Sequence, residues 1–294
     1  MTQPDVSVII PAYNRAATVA AAIGSVLAQD GVNFEVIVVD DASEDGTAAV
    51  VEGIGDARVR LVRHARNAGA GAARNTGIAA ARAGLVAFQD SDDLWLPGKL
   101  ARQVAALRAS PDAVAVYCGM LIENAEAVGG SGSVYLPDPA QRPRSGALHG
   151  ALLAANFVST QTLVVHRAAL ERAGQFDTAL PALEDWDFAL RLAALGPIAL
   201  VDDVLVRQRF SDNSLTRSLE KRLRAQEMIL ERHAQALAGQ PGVLALHHRR
   251  IAGAHRRLGD VTAARRHIAA ALGARPLSPR LWALWLRLRL IPGG

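Results

Sequence analysis

Cysteine is almost absent from this 294-residue chain, Cys118 being the only one. A single thiol excludes an internal disulfide and any zinc site built from cysteines, and it fits a reducing compartment. It lies in the apolar run AVAVYCGMLI, where a packed, inert thiol is expected. Long hydrophobic runs are missing too. No uncharged apolar stretch reaches the roughly 18–20 residues that a bilayer-spanning helix needs. The opening MTQPDVSVIIPAYN has neither a basic n-region nor a long apolar core, so no signal peptide is expected. A cytoplasmic protein, soluble or peripheral at the inner face of a membrane, is the expectation.

Acidic residues are scarce in one part of the chain. Residues 217–294 hold 15 Lys/Arg and 4 Asp/Glu, against 17 and 24 in the first 216. The sequence pI of 9.8 therefore belongs to the tail, a candidate for contact with an anionic surface. No nucleic acid is expected as a partner. Arg287, Arg289, Trp282 and Trp285 together make an interfacial helix on anionic lipid one reading of the C-terminus.

Half the residues are hydrophobic, enough for one large domain with an appendage. Short β-branched runs at Val6–Ile10, Phe34–Val39, Val59–Val62 and Leu85–Phe88 alternate with helical periodicity at Thr18–Leu27, Thr47–Ile54 and Gly71–Ala81. Alternation of this kind predicts a mainly parallel sheet flanked by helices. Pro11 is expected to end the first strand. Strands are also expected at Val114–Ile122, Thr162–His166, Ile198–Val201 and Val204–Arg209, with helices at Pro97–Ala109, Ala147–Ala154, Arg167–Ala173 and about Asp185–Leu195. The Gly-, Ser- and Pro-rich residues 123–146 predict a hairpin or mobile loop. From Ser218 onward only helical periodicity remains, with a turn at Gly259-Asp260 and a break at Pro276–Pro279. The expected division is a domain over 1–217 and a basic, all-helical extension over 218–294.

In such sheets ligands bind beyond the carboxyl ends of the strands, where Ala12-Tyr13-Asn14, Asp40-Asp41-Ala42-Ser43 and Asp90-Ser91-Asp92-Asp93 should converge. Carboxylates packed this closely need compensation by a cation or by several donors, and hard oxygen ligands suit Mg²⁺ or Mn²⁺. A solvated acidic turn with an Asp capping the next helix is the simpler alternative.

The motifs VSVIIPAYNR, FEVIVVDDASEDGT, NAGAGAARNTGI, VAFQDSDDLWLPGKL and ALEDWDFALRL, in this order across residues 5–212, resemble the family 2 glycosyltransferases, inverting enzymes of GT-A (Rossmann-like) fold. The resemblance implies transfer of a sugar from a nucleoside-diphosphate sugar to an acceptor hydroxyl in cell-surface glycan or polysaccharide biosynthesis. It further implies that Ala12 and Tyr13 line the base pocket, that Asp41 accepts a hydrogen bond from the base, and that Asp40 braces the loop. Arg74 and Asn75 would approach the donor's phosphates or sugar. Asp92 and Asp93 would hold a divalent cation (Mn or Mg), with Asp92 also facing ribose and sugar, and Asp185 would be the catalytic base. Arg209, Ser211, Ser214 and Thr216 match a loop that closes over the diphosphate in similar members. The QxxRW motif of processive members is missing, which favours single-sugar transfer. Acceptors open to such an enzyme are a lipid-linked glycan, a protein or a small molecule.

Two other readings compete. Gly69-Ala70-Gly71, with Asp90 about twenty residues on, sketches the dinucleotide fingerprint of an NAD(P)-dependent oxidoreductase. Arg74 occupies the third glycine's place, and the Asp pairs are left unexplained. A non-catalytic sugar-nucleotide sensor or scaffold is the alternative from another class. Trp95, Trp186 and His166 read as core residues.

Overall fold

The computed structural model describes residues 3–123, 134–136, 145–209 and 218–290. The chain divides into two compact units: Met1–Leu152, Asn156–Thr178 and Glu184–Asp212 form the first, and Leu153–Ala155, Ala179–Leu183 and Asn213–Gly294 the second.

The first unit is built on a sheet of strands β1 (Val6–Ala12), β2 (Phe34–Asp40), β3 (Val59–Arg63), β4 (Leu85–Phe88), β5 (Leu94–Trp95), β6 (Ala115–Glu123), β7 (Val134–Leu136), β8 (Val164–His166) and β9 (Ile198–Arg209). The order is β3-β2-β1-β4-β8-β6-β9-β5, with β7 pairing β6 outside that path. From β3 to β4 all pairs are parallel. Beyond β4 the sheet is mixed, with β6 and β9 parallel and the other pairs antiparallel. The chain winds outward from β1 to β3 and then returns to β4 on the other side of β1, so the switch point falls between β1 and β4.

Every residue of β1 and of β2 is buried, as continuous apolar runs in a doubly covered parallel sheet demand. Helices α1 (Val19–Leu27), α2 (Thr47–Glu52), α3 (Ala70–Ala80) and α4 (Lys99–Ala109) follow their strands. A Cβ on Gly77 would lie 2.3 Å from Ile9 Cγ2, so only glycine lets α3 lie this close to β1. β1 runs through Pro11 to Ala12, one correction to the sequence reading. Its register with β4 ends at the Ile9–Phe88 pair, so on that side the proline interrupts no ladder. Ile198–Arg209 is one strand, where the sequence suggested two. Of the segment 123–146, β7 forms a hairpin with β6, while 124–133 and 137–144 lie outside the described residues.

Helices α5 (His149–Ala154), α6 (Arg167–Ala173) and α7 (Glu184–Leu195) complete this part of the chain. Trp95 and Trp186 are buried, their indoles donating to the carbonyls of Gln161 and Leu152. Cys118 is buried as well, its thiol pushed up to about 11 by burial.

The second unit contains α8 (Leu219–Arg232), α9 (Ala234–Ala238), α10 (Pro241–Arg257), α11 (Val261–Ala274) and α12 (Pro279–Arg289). The α10–α11 turn falls where expected: Gly259 has φ +85°, and the Asp260 side chain accepts from Ala263 N. Ala252, Ala264, Ile268, Ala271, Leu281 and Leu288 form its main core.

Candidate active site

Three loops leave the carboxyl edge of the parallel strands beside the switch point. Those after β1 and β2 are knitted together. Asp41 N donates to Ala12 O at 2.8 Å, Asn14 N to Ser43 Oγ and Glu44 N to Asn14 Oδ1, both at 2.9 Å. The left-handed φ of Asn14 (+52°) and Ala42 (+61°) lets both loops turn this tightly. At Ala42, which has a Cβ, that conformation costs about 1–2 kcal/mol. Asp45 accepts from Thr47 N and Ala16 N, tying the start of α2 to the first loop.

Asp40 is fully buried, and Oδ1 accepts from Ser43 N at 3.1 Å. Asp41 is also buried, and its carboxylate organises the start of α3: Oδ1 accepts from Ala68 N at 2.9 Å and pairs with His64 Nδ1 at 2.7 Å, and Oδ2 accepts from Gly69 N at 2.7 Å. The Gly69 N–H, which a dinucleotide fingerprint would direct at a pyrophosphate, is thus occupied. Ala12 is buried at the end of β1, whereas the neighbouring Tyr13 is 41% exposed.

The loop after β4 folds on itself. Gln89 Nε2 donates to Asp93 O, and Asp93 N to Asp90 O. None of its carboxylates caps the next helix, since α4 begins after Gly98. Asp93 is buried and its Oδ2 accepts from Gln161 Nε2 at 2.9 Å. Asp92 is more open and lies 3.5 Å from Arg15 Nε. Burial and the charge of Asp90 push the Asp92 carboxyl up, against the pull of Arg15.

Arg74 ties this loop to α7. Its guanidinium is 7% exposed and donates from Nη2 to Asp90 Oδ1 at 2.9 Å and from Nη1 to Glu184 Oε1 at 3.0 Å. Burial disfavours its charge, but the two carboxylates outweigh burial and raise its pKa further. The sequence reading named Arg74 but not these partners. Asn75 is occupied differently from what the resemblance implies. Its Nδ2 donates to Phe176 O and its Oδ1 accepts from Phe176 N, at 2.9 and 2.8 Å. That clamp seats Phe176 against Phe88 and Phe188, with centroids 5.4 and 4.2 Å away.

Asp185 follows Glu184 in the first turn of α7. Its Oδ2 accepts from Asn156 Nδ2 at 3.0 Å and its Oδ1 from Trp186 N at 2.8 Å. Burial, followed by the charge of Glu184, raises its pKa to about 6. Nothing in the sequence signalled Asn156 or Gln161, ordinary polar residues outside any motif, and Arg15, at the end of the VSVIIPAYNR motif, was given no role. Ser211, Ser214 and Thr216 lie outside the described residues, as does the Arg209 side chain.

Among the described residues, Asp90 and Glu184 pair with Arg74 and Asp92 with Arg15, while Asp93 lies in the same loop as Asp90 and Asp92, and Asp185 follows Glu184. A cluster of hard oxygen donors of this kind fits a divalent cation such as Mg²⁺ or Mn²⁺.

Residues 7–164 match the family model "Glycosyl transferase family 2". The succinoglycan biosynthesis protein ExoO of Rhizobium meliloti is 50% identical over 113 residues, 38% of this chain and 32% of that protein. The Escherichia coli UDP-Glc:alpha-D-GlcNAc-diphosphoundecaprenol beta-1,3-glucosyltransferase WfgD is 41% identical over 102 residues, 35% of this chain and 40% of that protein. The matched stretch therefore spans less than half the length of either relative. Among solved structures, Staphylococcus aureus TarS 1–349 in complex with UDP-GlcNAc superposes with a TM-score of 0.69 at 20% identity, covering 95% of this chain and 83% of that one. The Pyrobaculum calidifontis mannosyltransferase PcManGT, in complex with GDP-Man and Mn²⁺, gives 0.64 at 24%, covering 98% and 80%. These likenesses establish the GT-A architecture, and with the match across more than half of its length the chain belongs to glycosyl transferase family 2.

Proposed function

We propose that this chain transfers a single sugar, with inversion, from a nucleoside-diphosphate sugar to an acceptor hydroxyl, the reaction being carried out within the domain spanning residues 1–217. One observation carries the reading: Arg74 joins the Asp90–Asp93 loop to the first turn of α7, where Asp185 sits. Donor-side and acceptor-side carboxylates are thereby held in one framework.

Tyr13, exposed beside the buried Ala12, offers a ring to the nucleotide base. Among the described residues, Asp41 accepts one bond at Oδ2, which leaves that oxygen capacity for a second from the base. Asp92 and Asp93 would hold the divalent cation, Asp93 being oriented by Gln161. When bound, the cation stabilises negative charge on the leaving diphosphate. Asp185 takes the acceptor hydroxyl's proton as the oxygen attacks the anomeric carbon. With a pKa of about 6, it is ionised at neutral pH and more basic than an ordinary carboxylate. Asn156 and the Trp186 N–H fix its orientation. Direct attack on the face opposite the diphosphate inverts the anomeric centre. Asn75 acts through Phe176, as a positioning residue.

The relatives' names point to exopolysaccharide and lipid-linked glycan synthesis, and UDP-sugars are the first donors to try. A thermal-shift panel of nucleotide sugars with Mn²⁺, Mg²⁺ or EDTA should show cation-dependent stabilisation by one nucleotide class. Asp185→Asn should lower transfer by about 10²–10⁴-fold while leaving that stabilisation intact. Loss of donor binding together with activity would remove Asp185 from the role of base. A metal-dependent donor shift without turnover by the wild type would favour the sensor or scaffold.

A lipid-linked acceptor fits one surface of α12. Trp282, Leu286 and Leu290 recur at helical spacing and are 45%, 56% and 84% exposed, beside Arg287 and Arg289. No helix among the described residues is long and apolar enough to cross a membrane, so contact would be interfacial. Flotation with anionic liposomes should be lost in the double variant Trp282→Ser, Leu286→Ser; unchanged flotation would refute this docking face.

A further inference from the structure

Five of the eight histidines lie between residues 233 and 267, and the glycosyl-transfer chemistry uses none of them. His255 on α10 and His267 on α11 stack face to face, their centroids 5.5 Å apart and their planes 23° apart. Both turn an Nε2 toward the same carboxylate oxygen, Oε1 of Glu227 on α8, at 2.8 and 3.8 Å. One ligand atom from each residue can be chosen so that all three lie within 4.8 Å of one another. Two donors of a tetrahedral zinc site, with bonds near 2.0–2.2 Å, are about 3.3 Å apart, and the two measured separations bracket that value. The imidazole rings are mostly buried, at 14% and 18% exposed.

The far nitrogens are held as well. His255 Nδ1 lies 3.6 Å from Asp260 Oδ2, and His267 Nδ1 lies 3.0 Å from His248 Nδ1. Ligating histidines characteristically use the second ring nitrogen in this way, which fixes tautomer and ring orientation. The placement of acidic residues agrees. The tail has only Glu220, Glu227, Glu231 and Asp260 among fifteen basic residues, and two of the four stand at this cluster.

We propose that Glu227, His255 and His267 form a zinc site, with water as the fourth ligand, that staples α8, α10 and α11 within the second unit. Two imidazoles and one carboxylate suit zinc better than the oxygen-seeking Mg²⁺ or Mn²⁺ of the Asp92–Asp93 loop.

The test uses the whole 294-residue chain stripped of metal and titrated with zinc by calorimetry. One saturable equivalent, retained in the double variant Asp92→Asn, Asp93→Asn, is expected. His255→Gln with His267→Gln should abolish it, and Asp260→Asn should weaken it by about 10–100-fold. Because those variants could disturb the helices, the Co²⁺ derivative of the wild type supplies an independent readout. An intense four-coordinate ligand-field spectrum supports the site. A weak six-coordinate spectrum, no saturable equivalent, or an equivalent lost only with Asp92 and Asp93 would overturn it.

Discussion

Glu35 at the amino end of β2 and the carboxylates around Arg74 beyond the carboxyl end of β4 belong to one unit, yet their surroundings treat negative charge in opposite ways. Glu35 is buried, which by itself raises its pKa, but hydrogen bonds from Ser7 and Arg82 outweigh burial and hold it below the ordinary 4.5. Arg82 Nε donates to its Oε2 at 2.9 Å, Ser7 Oγ to its Oε1 at 2.7 Å, and Arg60 lies 3.6 Å away. One carboxylate there has two guanidiniums and a hydroxyl. At the other end, among the described residues, Asp90, Asp92 and Glu184 share two guanidiniums, and Asp92 and Asp185 are both raised. Burial does not decide the outcome; the ratio of donors to carboxylates does. The first region stabilises the fold, and the second leaves charge that, on the function proposed above, a cation and a proton from the acceptor would compensate.

The largest way to break that contrast is Arg74→Met. Removing the buried cation leaves Asp90 and Glu184 facing each other's charge. Unfolding free energy should fall by about 3 kcal/mol, the low end for a broken buried pair because both partners are a quarter exposed. Urea unfolding measures it, and added Mn²⁺ should restore part of the loss. At the opposite edge, Glu35→Gln should cost roughly 2 kcal/mol without affecting transfer. The sign with pH follows from its lowered pKa. The stabilisation by Glu35 is complete above about 4.5 and is lost as the pH falls below that value, so the variant should show a shallower acid limb in a plot of Tm against pH. A smaller effect sharpens the comparison from the other side. Asp185 must be ionised to accept a proton, so kcat should fall about tenfold per pH unit below a pH near 6. A limb near 4 instead would mean that Asp185 is compensated as well as Glu35 is.

The difference between the two regions was only half legible in the sequence. Strand runs ending in Asp40-Asp41 and Asp90–Asp93 revealed the carboxylates, because local patterning fixes where a parallel strand stops and its loop begins. Their compensation was hidden, since it comes from residues remote in the chain. Arg74 meets Glu184 across 110 positions, and Asn75 meets Phe176 across 101. No periodicity marks such pairs. The same holds for the sheet beyond β4, where β8, β6 and β9 join in an order that is not the order of the chain. Asn75 shows the limit of reading a role from a motif, because the motif places the residue while its amide is engaged with a backbone that the motif does not contain. In the second unit the Gly259-Asp260 turn was readable from local chemistry, but the meeting of Glu227, His255 and His267 depends on how three helices pack.

The Arg74 bridge also has a temporal meaning. A guanidinium that needs Asp90 and Glu184 together cannot complete its contacts until the chain has been made and folded through α7, more than a hundred residues after Arg74 itself. A nascent chain ending before that point has the three polar loops but neither Asp185 nor the tie that links it to them. Synthesis alone therefore leaves the unfinished chain without this bridge, and closing this long loop makes completion of the site one of the late events in folding.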